Sequence, residues 1–282
     1  MPSLSRHSNR ALLTAPHRDA AALAHPCAHR TWVHGSRQEQ PTKRWFRRGF
    51  LLLLAGAGLL FHSATFAETV VPSFTARYTL SRSGITVGET IRTLSPANNG
   101  EFIYQSVAHA TGLLARFLKD EITERSRWIY QNGSIRPLNF LTQRHGGKKE
   151  RITQQIFDWE NHVTTTNVNN GNSSQLPLPL NTQDKLSYQI LLMHDLKKGL
   201  TNLEYIIAES DKTNIYRFAI MGEEILTTAI GTLRTLKIRR IGDERNTIVW
   251  CAIDMHYLPV KLEQRSDDDG HLELKIASAQ GL

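Results

Sequence analysis

The stretch from residue 258 to residue 278 decides the fold class. It reads LPVKLEQRS over 258–266, DDDG over 267–270 and HLELKIAS over 271–278. Leu272, Leu274 and Ile276 alternate with polar residues, and a period of two places them on one face of a strand. A short polar linker that ends in glycine is typical of a hairpin turn. The stretch therefore predicts two antiparallel strands that each bury one face.

The same alternation recurs from residue 74 onward. Phe74, Ala76 and Tyr78 alternate with polar neighbours before a turn at Ser83-Gly84. Short turns between successive segments predict a meander, in which each strand pairs with the next. The predicted strands cover residues 74–80, 85–94, 101–110, 121–131, 135–144, 150–159, 161–168, 203–209, 214–221, 223–230, 232–241, 246–253, 258–266 and 271–278.

One segment has a helical pattern. Asp184 to Lys198 carries Leu186, Ile190 and Met193 on one face, with Asn181 or Thr182 available as the cap. A shorter helical piece is predicted over 112–119, and residues 167–180 are interpreted as a connector. The predicted fold is mainly β: a curved antiparallel meander sheet that forms a half-open barrel, with one main helix packed against it.

Residues 43–67 have the three parts of a cleavable export signal. A basic start precedes an apolar run over 49–61, and small residues end the segment at Ala67. The apolar run has about thirteen residues, whereas a membrane-spanning helix needs about 20. Cleavage after Ala67 is therefore favoured over an uncleaved anchor. The pair Arg47-Arg48 also resembles a twin-arginine motif, but the strong apolarity of the run favours general secretion.

The sequence predicts three segments: a leader over 1–42, the signal peptide over 43–67 and a single periplasmic β-rich domain over 68–282. The leader lacks apolar periodicity, and signal peptides rarely begin after so long a polar segment. A start site assigned too early is the alternative explanation of residues 1–42. The processed chain is not expected to be an integral membrane protein.

The charge distribution does not favour nucleic-acid binding. The chain has 34 Lys and Arg against 26 Asp and Glu. Nine of the basic and two of the acidic residues precede position 68, which leaves 25 basic against 24 acidic residues in the predicted domain. A protein that neutralises several phosphates needs a basic face, and this balance does not indicate one. We expect no nucleic-acid partner.

The chain shows no motif of a known catalytic or metal site. Asp254 and His256 are two residues apart, so in a strand they would share a face suited to acid-base work, but a turn is the favoured interpretation. Cys251 is interpreted as a buried thiol. The acidic run 267–269 is interpreted as a hairpin tip rather than a calcium site, and Lys148-Lys149 as an exposed tip that is a candidate docking patch. No catalytic residue, metal or cofactor is predicted.

The chain resembles an exported bacterial family called domain of unknown function 3108. The most specific likeness is Trp250-Cys251-Ala252-Ile253-Asp254 followed by Tyr257-Leu258-Pro259-Val260, and Asp184 to Ser187 also matches. The remaining matches are Phe74 to Tyr78, Gly88-Glu89, Arg127-Trp128, Pro137, Phe140 and Gly231-Thr232. The resemblance implies a periplasmic β-rich protein with no assigned role. The family-motif residues are Asp184, Ser187, Asp254, Tyr257 and Pro259.

Three functions are considered. The first is non-catalytic binding or carriage of a hydrophobic cell-envelope component, such as a lipid, because a barrel of this size either fills its interior or holds an apolar ligand. The second is a protein-protein interaction factor in envelope assembly, and the third is a hydrolase centred on Asp254 and His256. The candidate ligand-lining residues are Tyr78, Tyr104, Trp128, Phe140, Phe218 and Trp250.

Overall fold

In a computed structural model, residues 71–112, 114–116, 120–146, 150–169, 171–266 and 270–282 are described. All of the described residues belong to one compact unit. The predicted leader and signal peptide lie outside the described residues. Within them, no helix has both the length and the hydropathy that a membrane crossing requires.

Fourteen strands form one antiparallel sheet in the described part of the chain. The strands are β1 (Phe74–Arg82), β2 (Ile85–Pro96), β3 (Glu101–Ala110), β4 (Glu121–Gln131), β5 (Ser134–His145), β6 (Arg151–Asp158), β7 (Val163–Val168), β8 (Asn172–Pro177), β9 (Leu203–Ala208), β10 (Thr213–Thr228), β11 (Gly231–Ile241), β12 (Ile248–Ala252), β13 (Leu258–Ser266) and β14 (Gly270–Gln280).

The sheet order shows that the meander bends back on itself without closing. The order is β8-β7-β6-β5-β4-β3-β2-β1-β14-β13-β12-β11-β10-β9, so the first strand pairs with the last. Strands β8 and β9 are the two edges, and among the described residues no ladder joins them. The helix α1 (Ser187–Lys197) belongs to the segment that connects these edges. The predicted fold is therefore confirmed: mainly β, a meander, half open, with one main helix.

Gln183 connects the edge strand β9 with the interior strand β5. Its amide donates to the Ile206 carbonyl at 2.8 Å and its carbonyl accepts from the Ala208 amide at 2.9 Å, which satisfies part of the free edge of β9. Its side-chain Nε2 donates to the carbonyl of Ile135 in β5 at 2.8 Å. One fully buried glutamine therefore holds two distant strands and the segment before α1 together.

Side chains fill the interior beneath α1. Leu186, Ile190 and Met193, the predicted apolar face of the helix, are each 1% exposed or less. They belong to one apolar cluster with the inward residues of the sheet, among which Tyr104 and Trp128 are 1% exposed. Because α1 has several residues that burial stabilises by about 1.5–3 kcal/mol each, the helix is fixed against the sheet.

Three local predictions differ from the structure. Residues 172–177 form the edge strand β8, which lacks apolar alternation because its side chains are mostly exposed. The predicted strands 214–221 and 223–230 are one strand, β10, with a register shift between Ile220 and Gly222 that the glycine accommodates at φ 120°. In 112–119 the described helical structure is one 3₁₀ turn, Leu114–Arg116.

Candidate functional site

Asp184 holds the start of α1 inside the sheet. Its Oδ1 accepts the amides of Leu186 and Ser187, both at 2.8 Å, and its own amide donates to the Ser187 hydroxyl at 2.9 Å. This reciprocal pattern is a helix N-terminal cap. The predicted caps were wrong: the Thr182 hydroxyl donates instead to the Pro179 carbonyl, and Asn181 is exposed.

The carboxylate of Asp184 belongs to a buried charge cluster, which we define as Arg92, Glu124 and Asp184. Burial raises the pKa of Asp184 above its usual range, although the hydroxyl of Ser126 and the two amides lower it. Burial also raises the pKa of Glu124, against the charges of Arg92 and Lys185. Both acids are therefore easier to protonate than exposed carboxyl groups.

Arg92 is the cation of this cluster. Its Nη1 donates to Gln189 Oε1 of α1 at 3.0 Å, and its guanidinium carbon lies 5.2 Å from the ring centre of Tyr78. Its buried Nε has no hydrogen-bond partner among the described residues. An unpaired buried donor costs about 1–3 kcal/mol, so a polar molecule near this nitrogen would be favourable.

A cleft opens over strands β4 to β6, next to Ser210 and to Lys185, which lies two residues before α1. We call it the β4–β6 cleft; its volume is about 290 Å³. Its cations are Arg144, Arg151 and Lys185, its apolar residues are Ile122 and Phe140, and it also contains Glu124. Arg144 is paired with Asp120, and this hydrogen bond lowers the pKa of Asp120. The cleft therefore combines an apolar wall with a cationic rim.

A second cavity lies between α1 and strands β2 and β10 to β13. We call it the arginine chamber; its volume is about 60 Å³. Arg92 and Arg240 both line it, together with Tyr188 and Gln189 of the helix. Aromatic rings form one wall, where Tyr188 meets Tyr216 at 5.4 Å and Phe218 at 6.3 Å between ring centres.

Five of the six candidate ligand-lining aromatic residues lie on the inward face of the sheet. Each of them is paired with a buried residue of an adjacent strand. Tyr78, Tyr104 and Trp128 are 2% exposed or less and belong to the packed core. Phe140 also lines the β4–β6 cleft, and Phe218 lines the arginine chamber. The structure therefore brings two of them to the cavities and places three in the core.

Trp250 differs from the expectation that it faces inward. Its register partners are Lys237 and Lys261, whereas the neighbouring Val249 faces the arginine chamber. Successive residues of a strand point to opposite faces, so Trp250 lies on the outer face. It is buried there because the ammonium groups of the two lysines lie 4.9 Å and 4.6 Å from its ring.

Asp254 and Tyr257 lie in a tight turn between β12 and β13, and Pro259 is the second residue of β13. Ile253–Met255 is a 3₁₀ turn, followed by His256 and Tyr257 with φ angles of 51° and 59°. Asp254 and His256 therefore do not share a strand face. The carbonyl of Pro259 accepts a hydrogen bond from the Tyr78 hydroxyl at 2.9 Å, which ties this turn to β1.

Two further expectations concern reactive groups. Cys251 is fully buried, and burial raises its pKa to about 12, so its thiol stays protonated. Within the described residues, no group of three or more His, Cys, Asp or Glu side chains is arranged to hold a metal ion. The acidic tip 267–269 and the pair Lys148-Lys149 lie outside the described residues.

Sequence reasoning missed Arg92, Gln183 and Arg240. The alternation of Thr90, Arg92 and Leu94 contains the signal for the first of them, since the two neighbours are buried on the inward face. A charged residue at an inward position is rare unless it is paired, and this rule would have identified Arg92. Gln183 has no comparable signal, because its role depends on two strands that are distant in sequence.

Comparisons with known proteins agree with this architecture. The model of a family described as "Protein of unknown function (DUF3108)" matches residues 73–277. The chain is similar to a solved structure titled "Crystal Structure of Beta-barrel-like Protein of Domain of Unknown Function DUF1849 from Brucella abortus", with a TM-score of 0.50 and 9% identity. That match covers 75% of this chain and 98% of the other. At this identity it shows the fold alone. No curated protein matches the chain.

Proposed function

The chain belongs to the DUF3108 family of proteins of unknown function, and from this premise we propose that it is a non-catalytic periplasmic protein that binds an anionic amphiphile of the cell envelope. The β4–β6 cleft is the proposed binding site. The observation that carries the proposal is the combination, in one cleft of about 290 Å³, of a cationic rim with an apolar wall. Ligand sites in proteins have volumes from about 300 Å³ upward.

The packed core favours an amphiphile over a fully apolar ligand. The helix residues Leu186, Ile190 and Met193 already occupy the space beneath α1. An apolar chain enclosed there would have to displace them. The cleft is instead open to solvent at its rim, where Arg151 and Lys185 are exposed. A ligand with a charged group at the rim and a short apolar part on Ile122 fits this arrangement.

The charges at the rim favour an anion. Arg144, Arg151 and Lys185 are cationic at neutral pH, and the Asp120 carboxylate pairs with the first of them. Glu124 lies deeper, where burial raises its pKa and weakens its negative charge at a given pH. A phosphate or carboxylate head group would therefore meet an excess of positive charge.

The compartment is part of the proposal. Residues 43–67 have the pattern of a cleavable export signal, which would deliver the domain to the periplasm. Fractionation of the native cells, followed by sequencing of the N-terminus of the product, tests this part. A mature protein that starts at Glu68 in the periplasmic fraction is expected, and an unprocessed protein in the cytosol would contradict it.

Native mass spectrometry with anionic phospholipid micelles tests the binding site. We expect a lipid-bound peak for the wild type and its loss in the double variant R151E/K185E. Arg239 is an exposed arginine on the outer face of β11, so R239E is the matched control and should keep the lipid. Equal lipid binding by all three proteins, or no binding by the wild type, would refute the β4–β6 cleft as the binding site.

The second candidate function is a protein-protein interaction factor, and a specific feature of β10 favours it. Strand β9 pairs with β10 only as far as Phe218. Beyond that residue, β10 pairs only with β11 among the described residues, so its other edge is free. This part of β10 has exposed apolar side chains: Ile220 is 38% exposed, Met221 49% and Ile225 64%. A free strand edge with exposed apolar residues is a template for pairing with another chain.

Crosslinking in intact cells tests this second candidate. Substitution I225E should abolish crosslinks to envelope proteins if the free edge of β10 is the contact. Ile215 is similarly exposed, at 46%, on the part of β10 that β9 covers, so I215E is the control. Crosslinks that survive I225E would count against an interaction through this edge.

A further inference from the structure

The arginine chamber has features of a binding site that the proposed function does not use. Its polar residues come from β2, α1, β11, the loop between β11 and β12, and β13. They are Arg92, Gln189, Arg240, Thr247 and Gln264. None of these residues is acidic, so the polar lining consists of hydrogen-bond donors and neutral groups.

The two arginines supply the charge. Arg92 reaches the chamber from the inward face of β2, and its buried Nε lacks a partner among the described residues. Arg240 reaches it from β11, with its guanidinium carbon 3.4 Å from the ring centre of Tyr216. Stacking on an aromatic ring fixes the plane of a guanidinium and leaves its N–H groups free to donate at the edge.

Carboxylates of the chain compensate these charges only in part. Asp243 lies 3.5 Å from Arg240 Nη1, but it also accepts the amide of Thr247 at 3.0 Å and belongs to the turn outside the chamber. Glu124 interacts with Arg92, and burial raises the pKa of this acid, which weakens its negative charge. Two guanidinium groups on one cavity therefore remain available to an anion.

Neutral groups complete the lining. Gln264 Nε2 donates to the Thr247 hydroxyl at 3.1 Å, which orients both side chains. Tyr188 lies near both arginines, and burial raises its pKa to about 12, so its hydroxyl keeps its proton and can donate to an anion. The Thr247 hydroxyl itself donates to Asp243, so the Tyr188 hydroxyl and the remaining N–H of Gln264 are the neutral donors for the oxygen atoms of a ligand that the arginines attract.

We propose that the arginine chamber binds a small oxyanion, a phosphate or carboxylate group, between Arg92 and Arg240. The size of the cavity sets the class of ligand. A volume of about 60 Å³ corresponds to roughly four waters, since one buried water needs about 10–15 Å³. One phosphate or carboxylate group fits this space. Larger parts of a ligand would extend along Phe218 and Leu262 at the chamber wall.

Isothermal titration of the purified protein with inorganic phosphate and with acetate, at constant ionic strength in chloride, tests the site. We expect saturable binding of at least one anion. Binding of phosphate alone assigns a phosphate group, and binding of acetate alone assigns a carboxylate. Substitution R240Q should weaken binding about tenfold or more, because hydrogen bonds to charged groups are worth about 1.5–3 kcal/mol each.

The adjacent residue provides the matched control. Arg239 points to the opposite face of β11 and is exposed, so R239Q should leave the affinity unchanged. Substitution R151E in the β4–β6 cleft should also leave it unchanged, which separates this site from the proposed function. Absence of saturable binding of either anion to the wild type, or equal weakening by R239Q and R240Q, would overturn the assignment.

A second measurement does not depend on how well any variant folds. Crystals of the wild type soaked in selenate should show an anomalous peak between Arg92 and Arg240. If the protein binds phosphate in solution, a selenate peak only at other positions would contradict the proposal.

Discussion

The hydroxyl of Ser126, in the middle of β4, donates a hydrogen bond of 2.6 Å to Oδ2 of Asp184 at the start of α1. Both residues are fully buried, and 58 positions separate them in the sequence. The other oxygen of the same carboxylate accepts the amides that begin the helix. One side chain therefore caps α1 and fixes it to the inward face of the sheet.

Removal of the Ser126 hydroxyl should destabilise the domain. Substitution S126A leaves a buried carboxylate oxygen without its donor, so the free energy of unfolding should fall by about 1–3 kcal/mol. Urea denaturation measures this change. Ser173 is exposed on the edge strand β8, and S173A should change the free energy by less than about 0.5 kcal/mol. Equal effects of the two substitutions would contradict the role of Ser126.

The buried carboxyl group of Asp184 should stabilise the folded protein more at low pH than at neutral pH. A salt-bridged acid has the opposite effect. Burial raises the pKa of the folded state above the usual 3.8, so the folded protein binds this proton more tightly than the unfolded chain. The contribution of this bound proton to the free energy of unfolding is fully present below pH 3.8. It is lost as the pH rises through the pKa of Asp184 in the folded protein.

Substitution D184N removes this titration and isolates it from the other acids. The free energy of unfolding of the wild type minus that of D184N should therefore decrease as pH rises from 3.8 toward neutrality. Denaturation curves at several pH values measure the difference. A difference that is flat, or that increases with pH, would show that the pKa of Asp184 is not raised.

Gly88 allows β2 and β3 to approach closely. A Cβ atom at this position would lie 2.5 Å from the carbonyl oxygen of His109. Substitution G88A should therefore cost about 1–3 kcal/mol of stability, because backbone must move. Gly171 is the control, since a Cβ there would have no neighbour nearer than 3.9 Å. Thermal unfolding in which G88A and G171A have the same midpoint would contradict the predicted clash.

The turn before β13 has strain that a single substitution should relieve. His256 adopts φ 51° and ψ 34°, which L-residues reach at a cost of about 1–2 kcal/mol. Glycine reaches it freely but loses more entropy on folding, so H256G should stabilise the domain by about 0.5 kcal/mol. Substitution D254G, at a position without positive φ, should destabilise it. A lower midpoint for H256G in thermal unfolding would contradict the interpretation.

The sequence was sufficient to predict the meander because inward residues repeat with a period of two. β3, β4 and β13 have the predicted bounds. β8 was not predicted, because both of its faces are largely exposed and it ends in Pro177. Trp250 was assigned to the wrong face because a large aromatic residue normally indicates the core, whereas here two lysines cover it.

The candidate site could be predicted only in part. The sequence pointed to Asp184 and Ser187 at the helix start, and the structure places them at the cap. Arg92 was missed although its inward position in β2 is visible in the alternation, whereas Gln183 has no such signal because its partners come from two strands that are distant in the chain. The cavities are lined by residues from several strands and from the segment around the helix, and no local pattern specifies how these come together.

The most direct test of the account is a crystal structure of the purified protein grown with a short-chain anionic phospholipid. We predict density for the phosphate between Arg151 and Lys185, with the acyl chains along Ile122 and Phe140 in the β4–β6 cleft. A lipid bound only on the outer face of the sheet, or an empty cleft at saturating lipid, would contradict the central claim.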